Sequence, residues 1–130
     1  MERLLGRYAD VIYGVMRIVV GLLFAAHGAQ KLFGAFGGQV MTGVPLMLVA
    51  GIVELGGGLL VAVGLAARIA AFIASGEMAV AYFMAHLPHG FWPILNKGEL
   101  AAVYCFVFLF VAAQGAGKLS IDWLRRPRPE

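Results

Sequence analysis

The chain has one cysteine in 130 residues, Cys105. An intramolecular disulfide is therefore impossible, and so is a Cys-x-x-Cys redox pair. Charge is scarce as well: Asp, Glu, Lys and Arg make up 13% of the residues, against about 25% in a soluble domain. Too few polar residues are present to coat a globule in water. Disorder is excluded from the opposite direction, because 62% of the residues are hydrophobic and such a chain buries apolar surface readily. No nucleophile motif occurs, and no glycine loop joins a strand pattern to a helix pattern, so phosphate chemistry has no support. The net charge is +3. The basic residues sit mostly toward the two ends, which fits membrane orientation better than nucleic-acid binding.

What the chain has in abundance is long apolar runs. They cover 11–33, 45–67, 69–87 and 97–114, followed by a basic tail over 118–130. A membrane helix needs about 20 residues. The first three runs meet this, and the fourth meets it when 96–114 counts as a whole. The reading is an all-α membrane protein, a bundle of four transmembrane helices with no room for a second domain. Paired glycines in Gly34-Ala-Phe-Gly-Gly38 end the first helix. Pro45 suits the first turn of the second. Gly64 and Arg68 bracket a tight turn. Pro88-His-Gly-Phe-Trp-Pro93 predicts the third loop, with Phe91 and Trp92 as interface anchors. Gly115 and Gly117 close the fourth helix, and the tail is expected at the headgroups with mobile last residues.

With four spans, Arg3, Arg7, Arg68, Lys118, Arg125, Arg126 and Arg128 fall on one side, and Lys31 and Lys97 near the other. Seven against two places both termini in the cytoplasm. The long first run, its Arg17 and the lack of a small-x-small exit argue against a cleavable signal peptide.

Gly14, Gly21 and Gly28 recur every seven residues, and Ala50, Glu54, Gly58 and Ala62 every four. Such stripes let membrane helices approach closely, so Glu54 should face the bundle. Ionisable groups at membrane depth are costly and need a partner or a task. Arg17 either snorkels or reaches a carboxylate. His27, Gln30 and Lys31 align on one side of the first helix. Glu54 and Glu77 lie near mid-depth. His86 and His89 end the third helix, and Asn96, Lys97 and Glu99 open the fourth. The outer half of the bundle thus collects most of the polar chemistry. It reads either as a structural network or as a pocket for a polar or redox-active head group. The ligand-binding candidates are His27, Gln30, Lys31, Glu54, Glu77, His86 and His89. Arg17, Arg68 and Glu99 are candidates for structural ion pairs. Three histidines with a carboxylate suit a metal, and two on separate helices suit a haem. Neither pattern has a distinctive spacing, so no metal site is assigned. Cys105 between Tyr104 and Phe106 reads as a small buried hydrophobe.

The stretch Arg17-Ile-Val-Val-Gly-Leu-Leu-Phe-Ala-Ala-His-Gly-Ala-Gln-Lys-Leu-Phe-Gly34 resembles the opening of the DoxX family. So do Gly51-Ile-Val-Glu-Leu-Gly-Gly-Gly-Leu-Leu60, the turn to Arg68, and Ala85-His-Leu-Pro-His-Gly-Phe-Trp92. Gly98-Glu-Leu-Ala-Ala-Val-Tyr104 and Gly117-Lys-Leu-Ser-Ile-Asp122 complete a likeness spanning 17–123. The resemblance implies one DoxX-like domain over 1–130, in a small four-helix protein of the bacterial inner membrane. Relatives include the DoxD subunit of a thiosulfate:quinone oxidoreductase. The family-like polar positions are Arg17, His27, Gln30, Lys31, Glu54, Arg68, His86, His89 and Glu99, and the motifs bring no catalytic roles with them.

The leading expectation is a membrane subunit of an oxidoreductase system, with a quinone-like or other amphipathic head group bound in the outer half of the bundle. Such a subunit carries no intrinsic cofactor and works with a protein redox partner, in the lipid bilayer, with homo-oligomers open and nucleic acid not expected. A non-enzymatic scaffold subunit is the alternative. A small-solute transporter, which at this size would need oligomers, is a third.

Overall fold

The computed structural model describes residues 1–129. Among them the structure is helical throughout, with no strand. Four long helices carry it: α1 Glu2–Phe33, α2 Pro45–Val63, α3 Ala67–His89 and α4 Glu99–Gln114. The first three are long and apolar enough to cross a membrane. At 16 residues α4 is shorter, and its rise of about 24 Å is extended by a separate turn at Pro93–Asn96.

The helix limits differ from the sequence expectation, most at the N-terminus. α1 begins at Glu2, nine residues before the apolar run at 11, passing through a tighter turn at Gly6–Tyr8 without ending. α2 stops at Val63, where Gly64 takes φ +72° and turns its N–H back to the carbonyls of Leu60 and Val61. α3 then starts at Ala67, so Arg68 belongs to the helix and not to the turn. α1 ends in the same manner, with Gly34 at φ +69°, a backbone conformation glycine adopts without steric cost. α3 runs to His89, past the proline at 88, by changing its winding near the end.

The helices form two hairpins. α1 packs along α2, and α3 packs along α4. The first pair meets through the glycine stripe. A Cβ at Gly21 would fall 2.7 Å from the Gly58 carbonyl oxygen, and one at Gly58 would fall 2.6 Å from the Gly21 oxygen. Gly28 sits as tightly against the backbone of Leu55 and Gly51. These contacts bring two backbones together, which is the main source of packing energy between membrane helices. The second pair meets through Ala70, Ala71, Ala74 and Met78 on α3 and Ala101, Tyr104, Phe108 and Val111 on α4, all buried. α2 touches α3, and aromatic rings join α1 to α4. Phe24 lies 4.7 Å from Phe108 and 5.3 Å from Tyr104 between ring centroids. Outward faces stay apolar: Leu22, Leu23, Phe72 and Phe106 are exposed, as surfaces in contact with lipid should be.

The first part of the tail is folded onto the bundle. Residues 115–124 fold back under the bundle, Ala116 and Ser120 are buried, and Ile121–Leu124 forms a short helix capped by the Ser120 hydroxyl.

Candidate functional site

Two polar clusters sit at opposite ends of the bundle. The first lies where α2 ends and the tail returns. Arg17, 0% exposed, is not paired with a carboxylate and does not snorkel. Its guanidinium donates to the carbonyls of Val61 (2.9 Å), Ala62 (3.3 Å), Leu119 (2.6 Å) and Ala116. A cation at a helix C-terminus answers both the unpaired carbonyls and the negative end of the dipole. Arg68 does the same for α4, donating to Ala112, Ala113 and Gln114. Asp122 caps the other polarity. Its carboxylate accepts the N–H groups of Ala66 (2.9 Å) and Ala67 (3.1 Å) at the start of α3. Glu99 is exposed at the first turn of α4. The ion pairs among the described residues are Lys31–Glu54 and Lys118–Asp10. The ion-pair roles expected of Arg17, Arg68 and Glu99 are therefore corrected: the two arginines serve backbone carbonyls instead.

The second cluster lies toward the C-terminal end of α1. α2 widens by one residue per turn over Val53–Gly57, and such π-turns occur often at functional sites. Glu54 is the second residue of that turn and is 2% exposed. Lys31 Nζ reaches both its oxygens, at 2.8 and 2.6 Å. The lysine side chain keeps 23% of its surface exposed. Glu77 approaches from α3. It lies near Glu54 and Lys31. Its Oε2 is buried and has no donor. On the α4 side, Tyr104 feels the charge of Glu54 and meets the His27 ring edge to face at 6.1 Å. One lysine thus pairs with Glu54, and Glu77 lies nearby with an imidazole and a phenol in the same region. This arrangement can offer both donors and an unfilled acceptor to a polar group.

A family model described as DoxX matches residues 13–87. The chain belongs to the DoxX family. It is similar to an uncharacterized protein of Haemophilus influenzae, 41% identical over 125 residues, covering 91% of this chain and 93% of that protein. No solved structure matches it. With its apolar helices, this DoxX protein is a membrane protein.

The DoxX match takes in Arg17, His27, Lys31, Glu54 and Glu77, while Tyr104 and Asp122 lie beyond it. Of the sequence candidates, the fold brings Lys31, Glu54 and Glu77 together and sets His27 beside them through Tyr104. Gln30 instead packs its Cβ and Cγ against Gly38 in the loop after α1. His86 belongs to a separate lock at the α3–α4 connection. Its Nδ1 lies 3.2 Å from the Asn96 carbonyl oxygen. Buried Asn96 bonds the Tyr82 hydroxyl, the Gly90 carbonyl and the Gly98 N–H. His89 is exposed and lies outside both groups. Among the described residues, no three His, Cys, Asp or Glu side chains gather as a metal-holding group. Cys105 is half-buried, and Ser75 Oγ donates to its carbonyl at 2.7 Å. The sequence names Asn96 only among the polar residues that open the fourth helix, and it gives Tyr104 and Asp122 no polar role. Tyr104 and Asp122 close the motifs Gly98-to-Tyr104 and Gly117-to-Asp122, but no spacing within one helix marks a contact between helices.

Proposed function

We propose that this DoxX protein is a subunit of a membrane oxidoreductase system, with the Lys31–Glu54–Glu77 cluster receiving the head group of a quinone-like amphiphile. The observation that carries this reading is the buried Glu77 Oε2 without a donor, beside an ion pair that is already satisfied. An unfilled buried acceptor is costly unless something supplies a donor. A quinol hydroxyl is such a donor. The other head-group oxygen needs a donor in return. Lys31 has one N–H left after serving Glu54, and the Tyr104 hydroxyl and His27 imidazole offer further donors in the same region. A quinone-type group would supply the two-electron chemistry together with a redox partner, and this chain's residues would orient and hold it, with Glu77 Oε2 accepting a hydrogen bond from its hydroxyl.

The membrane placement proposed with it has four spans in a bacterial inner membrane and both termini in the cytoplasm. The seven-to-two distribution of basic residues supports this, as does the gathering of Arg68, Lys118 and the tail arginines at one end. Cysteines introduced at Gly37 and at Phe91 should react with an impermeant thiol reagent from outside, and labelling of the tail instead would reverse the orientation.

A scaffold role is the second reading, and it has its own support. Concave surfaces lie at the end opposite the cluster, around Arg68 and along the first half of α1. Lipid mass spectrometry on the purified protein separates the two readings. If the cluster is a site, quinone co-purifies, and Glu77→Gln lowers its retention about tenfold, the worth of one charge-assisted hydrogen bond, without moving the melting temperature. Absence of quinone, together with a Glu77→Gln variant that melts early, would leave the scaffold.

A further inference from the structure

A cavity of about 260 Å³ opens beside the returning tail, lined by Arg68, Ile69, Gly115, Asp122, Trp123 and Arg126 among others. Its charges are not equivalent. Both oxygens of Asp122 are turned to the N–H groups that open α3, so its charge is already answered. Arg68 spends both Nη1 hydrogens and one on Nη2 at the end of α4, which leaves its Nε–H and one Nη2–H. Arg126 is held with its guanidinium carbon 4.7 Å above the Trp123 ring and pairs with no carboxylate among the described residues. Two guanidinium groups therefore face one space with donors to spare. The remaining wall is apolar, formed by the Trp123 ring and by Ile69, which is 68% exposed on the outer face of α3.

We propose that this cavity binds the phosphate headgroup of an anionic phospholipid from the leaflet on the side of the termini. Arginine forks match phosphate oxygens in shape and charge. The cavity lies at the ends of three membrane helices, where headgroups sit and where tryptophan concentrates. Ile69 continues it onto the surface that meets acyl chains. A free phosphate would use the arginines but gain nothing from that apolar wall, so a lipid fits the whole lining.

The test uses delipidated protein in detergent, given an equal mixture of phosphatidylglycerol and phosphatidylcholine and read by native mass spectrometry and thermal melting. Phosphatidylglycerol should be retained and should raise the melting temperature, and phosphatidylcholine should not. Arg126→Ala should cut retention about fivefold, the usual worth of one basic residue at an anionic surface. Its side chain makes no hydrogen bond among the described residues, so folding should survive the change. Arg128→Ala, outside the cavity, should leave retention unchanged. Equal retention of the two lipids, or an equal loss from Arg128→Ala, would overturn the site. Stabilisation by millimolar inorganic phosphate as large as that by phosphatidylglycerol would overturn the lipid assignment.

Discussion

Arg17 and Lys31 stand on the same helix, both turned inward, yet they solve the burial of a cation in opposite ways. Arg17 is enclosed and faces four carbonyl oxygens. Lys31 keeps a path to solvent and faces a carboxylate. At the Arg17 end no buried side-chain polar atom among the described residues lacks a partner: Arg17 serves carbonyls, Asp122 serves N–H groups, and Tyr13 donates to the Gly115 carbonyl at 2.6 Å. At the Lys31 end the count does not close, because Glu77 Oε2 is left over. Burial of charge alone therefore does not mark a site. The more deeply buried residue is the structural one, and the residual unsatisfied oxygen distinguishes the other end.

The largest effect should come from Arg17. Arg17→Met strands four carbonyls, two of them at the end of α2, each worth about 1–3 kcal/mol when left unsatisfied. The variant should give no folded peak in fluorescence-detected size exclusion. Arg17→Lys should restore part of it, since an ammonium lacks the planar fork. If Arg17→Met melts like the parent, the claim that this end is structural is broken.

A smaller loss is expected from Lys31→Met. It leaves Glu54 buried beside Glu77 with no cation, a cost of about 3 kcal/mol for a broken buried pair. Adding Glu54→Leu should recover most of the melting temperature, because removing both partners leaves no orphan charge. If the double variant remains as unstable as the single one, the pair is holding the helices in register and belongs with the structural end.

The smallest effect should be that of Asp122→Ala, which uncaps α3 at a cost of about 1 kcal/mol. It should lower the melting temperature by a few degrees while leaving any ligand retained at Glu77 untouched. Loss of that ligand would show that the two ends are coupled.

The fold was legible where periodicity carries it. The apolar runs, the glycine stripe and the inward Glu54 follow from spacing along one helix, and the structure has Gly21 against Gly58 as that spacing requires. The convergence of Lys31, Glu54 and Glu77 followed from their depths. Arg17 was misread because a carbonyl partner leaves no trace in a sequence: every residue carries one, and which ones a helix end leaves free depends on where Gly64 stops α2. Asp122 escaped for a related reason. Its partners are the N–H groups of Ala66 and Ala67, whose side chains say nothing about capping. His86 and His89 were grouped with the cluster by their chemistry, but the widened turn at Tyr82–His86 and the Asn96 lock hold His86 at the loop.

The partners of Arg17 also set an order on biosynthesis. Val61 and Ala62 emerge from the ribosome some 45 residues after it, whereas Ala116 and Leu119 follow 99 and 102 residues later. Until the last segment of the chain is made, the first helix holds a cation whose coordination is half complete. The hairpin of α1 and α2 can enter the bilayer early, but its closure waits on the tail. A nascent chain halted before residue 116 would leave two of the four carbonyls that Arg17 uses unmade.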